Sequence, residues 1–388
     1  MPHKPYKTAT LCANAQVGTD SAFNAVIPPL YLSSTYKFNG LEDMGRYDYG
    51  RSGNPNRDGL ADAVSKLEGA AGGVVTSSGM AAIDLVLNVI PAGSTVVAPH
   101  DCYGGTHRLL RAREKQGRCK VEFVDQSNLE SVKASLADQS GILLIETPSN
   151  PLMRVVDIAM LCKIAHDAGI LVVCDNTFLS PARQLPFSLG ADFVIHSSTK
   201  YINGHSDVVG GIALAKTPNH VEELQWWANC TGVTGAPFDS YLTLRGLRTL
   251  NARIDIQEAN TIKLAEILQT QSRVSQVYYP GLKSDPGYEL AQKQQSGPGA
   301  MLSFELDATD DEINKFLRGT KLFQLAESLG GTESLICHPA TMTHRAMDAK
   351  SQKIAGINQG LIRLSVGLED ISDQASELQD LFKLLEKV

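Results

Sequence analysis

A lysine that could react with an aldehyde stands in the polar run from His196 to Tyr201. Lys200 follows the apolar stretch 193–195, and Ser197 and Thr199 come just before it. A lysine in a cationic, partly desolvated pocket loses its proton more easily, and the neutral amine can then form an imine with a carbonyl compound. The two neighbouring hydroxyls could donate hydrogen bonds to an anion. This segment is therefore a candidate for covalent chemistry at the lysine.

Two further segments carry polar groups at the ends of apolar runs. Ser78, Gly79 and Met80 lie between a short apolar stretch and a predicted helix that starts near Ala81. The free N–H groups of a helix N-terminus beside a small glycine form a suitable cradle for a phosphate group. Asp175 ends another apolar run, where its carboxylate could keep a pyridine nitrogen protonated.

Tyr103 completes the set, because an aromatic ring can stack on a pyridine ring while its hydroxyl faces a substrate. Taken singly, each feature has a commoner explanation: a lysine after a strand is usually a solvated surface residue, and Asp175 alone could be a helix cap. Together, a reactive lysine, a phosphate cradle, a carboxylate and an aromatic ring meet the needs of pyridoxal 5′-phosphate (PLP). The ordered set therefore predicts this cofactor, bound at Lys200.

The motifs around these residues resemble the signature of the Cys/Met-metabolism family of PLP-dependent enzymes. The resemblance covers nearly the whole chain and departs at Asn56, where the family usually has threonine after Asn-Pro. It is carried by residues 49–55, 78–80, 101–105, 146–151, 175–178, 197–207 and 363–367.

This resemblance implies an α/β fold of the fold-type-I PLP transferases, which are similar to aspartate aminotransferase. Such a fold has a mostly parallel seven-stranded sheet and a smaller C-terminal α+β domain. It also implies a homotetramer built from two tight dimers. In that assembly the N-terminal arm reaches the neighbouring active site, where Tyr49 and Arg51 bind the cofactor phosphate.

Within the family, four segments resemble most closely the bacterial enzymes that replace the acyloxy group of an O-acylhomoserine with cysteine. That resemblance implies a γ-replacement in methionine biosynthesis, with succinyl as the expected acyl group and acetyl or another ester left open. The four segments are 98–105, 226–229, 238–249 and 326–331.

The same resemblance implies roles for the catalytic residues. Lys200 would act as base and then as acid, Asp175 would sustain the charge on the cofactor ring, and Tyr103 would take a proton from the substrate amine. Arg363 would bind the substrate α-carboxylate through two parallel hydrogen bonds, and Asn150 would assist it.

For the distal parts of the substrates, the main candidate binding residues have alternative interpretations. Arg51 and Arg108 are both candidates for a distal carboxylate, although Arg108 could equally lie on a solvated helix face. Glu327 is expected to contact the amino group of the distal substrate, with an ordinary helix-face carboxylate as the alternative. Ser328, beside it, is a further substrate candidate.

The hydrophobic pattern predicts the elements that position these residues. From about residue 60 to 215, short apolar runs alternate with amphipathic segments, which indicates a mainly parallel sheet covered by helices. Ligands of such sheets bind beyond the carboxyl ends of the strands. Strands are predicted at 73–76, 95–98, 121–125, 142–146, 171–175, 193–196 and 208–215, and helices at 105–115 and 157–168.

After Arg248 the pattern changes to that of a smaller α+β domain. The domain boundaries predicted from these changes are an arm at 1–58, a PLP-binding domain at 59–248 and a C-terminal domain at 249–388. Within the last, helices are predicted at 252–271 and 311–317, and strands at 275–279, 300–305 and 361–366.

Composition limits the partners. The 388 residues carry a net charge of −7, which argues against a general nucleic-acid surface. There is no run of eighteen apolar residues, no apolar signal region at the start, and no Cys-x-x-Cys pair among seven cysteines. These features predict a cytoplasmic protein that acts on small amino-acid substrates without a nucleic-acid or membrane partner. His338 and His344 lack a third clustered ligand, so no metal is predicted.

Other functions remain open. A cystathionine γ-lyase, a homoserine sulfhydrylase or, less readily, a β-lyase would share Lys200, Asp175 and Tyr103, so the catalytic core does not separate them. A nicotinamide dehydrogenase would need a glycine fingerprint after an early strand, which residues 77–80 lack. A non-catalytic α/β binding module would not need the lysine beside paired hydroxyl donors.

Overall fold

The structure is a computed structural model that describes residues 6–137, 141–345 and 347–386. Residues 1–5, part of the stretch in which no apolar signal region is predicted, lie outside the described residues. Within the described ranges, no helix is long and apolar enough to cross a membrane.

The described chain forms two compact units, and each is built from two separate stretches of sequence. The first unit contains residues up to 91 and residues 171–251. The second contains residues 92–170 and residues from 252 onward. Each unit therefore depends on contacts between segments that are far apart in the chain.

Two sheets account for the strands of the described residues. In chain order these strands are β1 (Gly72–Thr76), β2 (Thr95–Pro99), β3 (Lys120–Val124), β4 (Gly141–Glu146), β5 (Leu171–Asp175), β6 (Phe193–His196), β7 (Gly211–Ala215), β8 (Val274–Tyr278), β9 (Met301–Leu306), β10 (Gln324–Leu325), β11 (Leu335–Cys337) and β12 (Leu361–Ser365).

Helices connect and cover these strands, together with a 3-10 turn at Pro186–Leu189. Those of the described residues are α1 (Thr8–Ala13), α2 (Pro55–Glu68), α3 (Gly79–Val86), α4 (Gly104–Lys115), α5 (Leu129–Leu136), α6 (Ile158–Asp167), α7 (Ser180–Arg183), α8 (Pro218–Thr231), α9 (Pro237–Leu247), α10 (Leu250–Gln269), α11 (Tyr288–Gln294), α12 (Asp310–Arg318), α13 (Ala349–Ala355) and α14 (Ile371–Glu386).

The larger sheet has seven strands in the order β1-β7-β6-β5-β4-β2-β3. Strand β2 is parallel to β3 and to β4, and β5 is parallel to β6, whereas β7 is antiparallel to both of its neighbours. All residues of β2, β6 and β7 are buried, as expected for strands covered on both faces. The predicted mostly parallel, seven-stranded sheet is confirmed.

The second sheet has five strands in the order β10-β11-β12-β9-β8 and is antiparallel apart from its β10–β11 pair. A cluster of phenylalanines packs the helices of this unit onto the sheet: Phe304 of β9 lies 6.3 Å from Phe316 of α12 and 6.4 Å from Phe382 of α14, measured between ring centroids. The smaller C-terminal α+β domain predicted from the pattern is confirmed as this sheet and its helices.

The predicted strands of the larger sheet match the observed ones within one residue at each end, except for 208–215. Strand β7 begins only at Gly211. The residue before it, Gly210, instead exchanges hydrogen bonds with Thr199: its N–H donates to the Thr199 hydroxyl (2.9 Å), which donates to the Gly210 carbonyl (3.2 Å). The backbone before β7 is thereby used to hold the loop of Lys200.

Among residues 6–58 of the predicted arm, α1 and the first turn of α2 are the regular elements. Between residues 14 and 54 isolated bridges join Thr35 to Tyr49 and Gly40 to Asp43. Large apolar side chains project into solvent here, among them Phe23 (87% exposed) and Leu32 (69% exposed). Side chains of this kind gain from being covered.

Two asparagines attach the arm to the start of α2. Asn54 caps the helix by accepting hydrogen bonds from the N–H groups of Asn56 and Arg57. Asn56 accepts a hydrogen bond from the Tyr31 N–H (2.7 Å) and donates one to the Pro29 carbonyl (2.8 Å). The residue that departs from the family pattern therefore binds the arm at two points.

Replacing Asn56 with alanine removes both of these bonds and should loosen the arm. We expect chymotrypsin to cleave the arm about thirtyfold faster in Asn56→Ala, because two lost hydrogen bonds at about 1 kcal/mol each raise the population of the opened arm by that factor. Asn128→Ala is the control, since Asn128 only caps α5. Equal cleavage rates in Asn56→Ala and in the wild type would contradict the attachment.

Candidate active site

The ends of two parallel strands bring the first group of predicted residues together within the first unit. Asp175 is the last residue of β5 and pairs in register with Ile195 of β6. Ser197 follows β6 directly, so it lies at the same edge of the sheet. The N–H of Ser197 donates to the Thr177 hydroxyl (2.9 Å), and the Thr177 N–H donates to Asp175 (3.0 Å).

The carboxyl group of Asp175 is subject to opposing effects. Desolvation by the surrounding protein raises its pKa, whereas the hydrogen bonds from Thr177 and the positive charge of His196 lower it. Desolvation is the largest of these effects and disfavours the charged form. A cationic group beside this carboxyl, such as a protonated ring nitrogen, would lower the pKa of Asp175. The resulting carboxylate would in turn stabilise the cation.

A buried polar network lies behind Asp175 and was not predicted from the sequence. Glu68 accepts hydrogen bonds from His196 (2.7 Å) and from the Asn176 side chain (2.8 Å) through the same oxygen. Glu68 and His196 are both almost completely buried. The His196 ring at the end of β6 is therefore held by a buried carboxyl group.

The N-terminus of α3 forms the expected cradle. Ser78 caps the helix by accepting from the Ala81 N–H (3.1 Å), and the N–H groups of Gly79 and Met80 lie in the first turn, which has no acceptors within the helix. A Cβ atom on Gly79 would come within 2.7 Å of the Ser197 Cβ. Glycine is thus required for the helix start to approach Ser197 so closely.

A short turn positions Lys200. Its N–H donates to the Ser197 carbonyl (3.2 Å), and Thr199 is fixed by its bonds to Gly210. Tyr201 is fully buried, whereas Lys200 is partly accessible. The first unit therefore places a lysine, two amide donors at a helix start, hydroxyl groups and a carboxyl near the ends of β5 and β6, and this donor set fits PLP.

Tyr49 and Arg51 lie together on the arm. The Arg51 guanidinium lies 5.4 Å from the centroid of the Tyr49 ring, and its Nε donates to the Asn229 side chain (2.9 Å). Their predicted role, binding the cofactor phosphate of a neighbouring subunit, stays a prediction.

The second unit brings the predicted substrate residues together around Arg363 of β12. Its two terminal nitrogens donate to the Asn150 side-chain oxygen (2.8 Å) and to the Ser328 carbonyl (2.9 Å). Arg363 is buried, and Ser328 has a φ of 87°, a conformation that costs free energy for a residue with a side chain. The guanidinium is thus held in one plane from two sides.

The electrostatic environment of Tyr103 shows which charges surround it. Burial raises the pKa of its hydroxyl most, and the negative charge of Glu327 raises it further, whereas Arg108 and Arg363 lower it. Arg108 is exposed on α4, one turn after Tyr103. Glu327 is exposed and lies in a bend after β10, so the helix-face alternative is wrong.

His344, predicted only as a poor metal ligand, instead binds Asn150. Its Nε2–H donates to the Asn150 carbonyl (3.0 Å), and its Nδ1 accepts from the Thr343 hydroxyl (2.9 Å). Burial and the nearby Arg363 lower its pKa to about 3, so the ring is neutral. Nothing in the spacing of a single sequence indicates this contact.

His338 is likewise bound to oxygen atoms. Its ring nitrogens lie 2.8 Å from the Thr341 hydroxyl and 2.7 Å from the Gln359 carbonyl. Across the described residues, no group of three or more His, Cys, Asp or Glu side chains is arranged to hold a metal ion.

A neutral, buried His344 should make the protein less stable in acid. Between pH 6.5 and about 3 the unfolded chain binds a proton that the folded His344 does not, so stability falls as pH falls. This effect amounts to about 2 kcal/mol between pH 7 and pH 5. In His344→Gln, which keeps a donor for Asn150, the loss of unfolding free energy over this range should be smaller by that amount.

Urea unfolding at pH 7 and pH 5, at one protein concentration, measures this difference. His166→Gln is the control, because His166 is exposed on α6 and its replacement should leave the pH dependence as in the wild type. An unchanged pH dependence in His344→Gln would show that His344 is not held neutral.

Comparison with known proteins extends these observations to the whole chain. A family model described as "Cys/Met metabolism PLP-dependent enzyme" matches residues 9–383. Cystathionine gamma-synthase of Escherichia coli K12 is 50% identical over 382 residues, which cover 98% of this chain and 99% of that protein. Cystathionine beta-lyase of Lactococcus lactis subsp. cremoris MG1363 is 44% identical over 364 residues, covering 94% and 96%.

A solved structure is similar over the same extent. It is cystathionine gamma synthase from Xanthomonas oryzae pv. oryzae, in complex with aminoacrylate and cysteine. The TM-score is 0.97 at 49% identity, and the match covers 99% of both chains. Proteins that make cystathionine and proteins that cleave it are thus both similar to this chain along almost all of its length.

Proposed function

Because this chain belongs to the Cys/Met metabolism family of PLP-dependent enzymes, we propose that it acts as a cystathionine γ-synthase. It replaces the acyloxy group of an O-acylhomoserine with L-cysteine, giving L-cystathionine and a carboxylic acid, in methionine biosynthesis by transsulfuration. Succinyl is the proposed acyl group. The proposal takes the direction of the reaction from the relative that is 50% identical.

One observation carries this proposal: the charges of Arg363 and Glu327 both act on Tyr103. An arginine suits a substrate carboxylate, and an exposed carboxylate suits a substrate amino group. Arg363, oriented by Asn150, suits the α-carboxylate of the homoserine substrate. Glu327 is exposed, and its charge reaches Tyr103, so it suits the amino group of a second amino acid. A substrate pair with these two ends is what joining cysteine to homoserine requires.

The cofactor is held by the residues of the first unit. PLP, when bound, supplies an electron-accepting ring that stabilises negative charge at the α-carbon of an amino acid. The N–H groups of Gly79 and Met80, with the hydroxyls of Ser78 and Ser197, would bind its phosphate. Thr199 would join them by turning its hydroxyl hydrogen from the Gly210 carbonyl to the phosphate. Asp175 would pair with its ring nitrogen, and Lys200 with its aldehyde carbon.

Proton transfers are assigned to two residues. Lys200 takes the α-proton and returns protons later in the reaction, as a positioned amine can. Tyr103 is protonated in the protein alone, because burial and Glu327 raise its pKa. It can accept a proton from the substrate ammonium group only after it has released its own proton to water, and the positive charge of that ammonium group favours the release. After a second proton has left the β-carbon, the acyloxy group departs from the γ-carbon as a carboxylate, and the thiolate of cysteine adds there before protons are returned to the carbon chain.

We further propose that the chain is a cytoplasmic homotetramer in which the arm crosses to a neighbouring subunit. The exposed apolar side chains of the arm, such as Phe23 and Leu32, support a partner surface for it. Tyr49 and Arg51 would then bind the phosphate in the neighbouring site.

The test of the activity compares synthesis with cleavage. Purified holoenzyme should form cystathionine from O-succinylhomoserine and cysteine faster than it breaks cystathionine down. Lys200→Ala should lower the rate by about a thousandfold or more, as expected when a general base is removed, and borohydride should couple the cofactor to the peptide that contains Lys200. Lys163→Ala, at an exposed position of α6, is the control.

Rapid cleavage without synthesis would replace the synthase by a γ-lyase or β-lyase, and use of sulfide in place of cysteine would indicate a homoserine sulfhydrylase. If borohydride couples the cofactor to a lysine other than Lys200, then Lys200 is not the residue that binds the cofactor aldehyde. Comparing succinyl, acetyl and other esters of homoserine identifies the acyl donor.

Glu327→Ala should raise the KM for cysteine about fivefold to tenfold, because the ammonium group of cysteine loses a charged acceptor. Exchange of the α-proton of the homoserine substrate in the absence of cysteine should change by a smaller factor than the KM for cysteine. Glu130→Ala removes an exposed carboxylate from α5 and should change neither quantity. A KM for cysteine equal to that of the wild type would exclude Glu327 from substrate binding.

A further inference from the structure

We propose that Glu146 is a positioning residue whose two carboxylate oxygens hold Tyr103 and Asn150 in place for the substrate. The inference rests on the proposed function, because it assigns these two residues to substrate binding. It adds a group that does not itself touch the substrate in the mechanism above.

Glu146 connects two loops of the second unit. Glu146 is the last residue of β4 and is 7% exposed. Its Oε2 accepts from the backbone N–H of Tyr103 (2.9 Å), and its Oε1 accepts from the backbone N–H of Asn150 (3.1 Å). One carboxylate therefore spans two loops, one after β2 and one after β4.

Both N–H groups need such an acceptor. Tyr103 is the residue just before α4, and Asn150 lies in the loop after β4, so neither N–H belongs to a helix or to a sheet ladder. A backbone N–H that is shielded from water and left without a partner costs free energy. Glu146 removes that cost at both positions at once.

Asn150 transmits this constraint to Arg363. Its backbone N–H is held by Glu146, its carbonyl by His344 (3.0 Å) and its side-chain oxygen by Arg363 (2.8 Å). With three points fixed, the amide side chain has one orientation, and the guanidinium is oriented with it. A shift of the Asn150 backbone would therefore turn the group that binds the substrate carboxylate.

The charge of Glu146 also acts on Tyr103. It raises the pKa of the Tyr103 hydroxyl, after burial and Glu327 and against Arg108 and Arg363. Removing the charge should lower that pKa. The hydrogen bonds of Glu146 thus fix the two loops, and its charge raises the pKa of the Tyr103 hydroxyl. Variants of Glu146 can separate these two effects.

Glutamine and aspartate at this position differ in what they remove. Glu146→Gln keeps the length but offers one oxygen, and its NH2 group would face a second N–H donor. Glu146→Asp keeps the charge but is too short by one methylene to reach both loops. Neither variant should bind the N–H groups of both loops, and only the aspartate should still raise the pKa of the Tyr103 hydroxyl.

The experiment measures binding and pH dependence in the holoenzyme. L-Norvaline, an amino acid without a leaving group, is titrated against the absorbance of the bound cofactor. We expect Glu146→Gln and Glu146→Asp to bind it about tenfold more weakly, as expected for one lost hydrogen bond to a charged group. The limb of the kcat/KM pH profile that belongs to Tyr103 should move to lower pH in Glu146→Gln and less in Glu146→Asp.

A matched control is available in the same unit. Asp285 also spans two backbone N–H groups, those of Tyr279 (3.1 Å) and Gly287 (2.8 Å). Asp285→Asn should lower the thermal midpoint without changing norvaline affinity or the Tyr103 limb. Equal norvaline affinity in the wild type and both Glu146 variants, or an equal loss in Asp285→Asn, would overturn the inference.

Two further outcomes of the experiment also test the role of Glu146. If Glu146→Gln gives no folded holoenzyme, norvaline binding by Glu146→Asp decides alone. If the wild type binds norvaline but makes no cystathionine, the proposed function fails, and the role of Glu146 still stands or falls with the titration.

Discussion

Backbone N–H groups in the loops that follow parallel strands have no ladder partner, and carboxylates at the strand ends satisfy them. Asp175, at the end of β5, accepts from the Thr177 N–H, and Glu146, at the end of β4, accepts from the N–H groups of Tyr103 and Asn150. Without these acceptors the loops would have to open toward water. The loops that carry the candidate active site are therefore shaped by acids that the β-strands position.

Burial sets the charge state of the groups so positioned. Desolvation raises the pKa of Asp175 and of Tyr103, and it lowers the pKa of His344 to about 3. In each case burial favours the neutral form, and neighbouring charges decide how far this goes. His344 stays neutral and only donates to a carbonyl. Asp175 and Tyr103 differ from His344, because a cation beside each would favour its charged form. For Asp175 that cation would be the cofactor ring nitrogen, and for Tyr103 it would be the substrate ammonium group.

The sequence predicted the strands of the larger sheet well, since segments buried on both faces form short, continuous apolar runs. It also predicted the reactive segments after β5 and β6, because polar residues that follow such runs are conspicuous. The amphipathic helices α4 and α6 were found within one residue at each end. Helix α2 was not predicted, because its first turn lies in the stretch assigned to the arm, and α9 was not predicted either.

Contacts between distant segments could not be predicted in this way. His344 binds Asn150 across 194 positions of the chain, and His196 binds Glu68 across 128. No spacing rule connects such pairs. Glu146 was visible only as part of a motif, and its function as an acceptor for two loops depends on the parallel pairing of β2 and β4.

The residues proposed to bind the cofactor phosphate and ring nitrogen and those proposed to bind the substrates belong largely to different units. The residues that suit the cofactor, Lys200, Asp175 and the start of α3, belong to the first unit, and any PLP enzyme of this family needs them. The residues that suit the substrates, with Arg363 and Glu327 among them, belong to the second. A change of reaction can therefore arise in the second set while cofactor binding is left intact. Replacing the exposed Glu327 should cost little stability, because its side chain contributes little to the fold, whereas Glu146 and Asn150 are constrained by the groups that they bind.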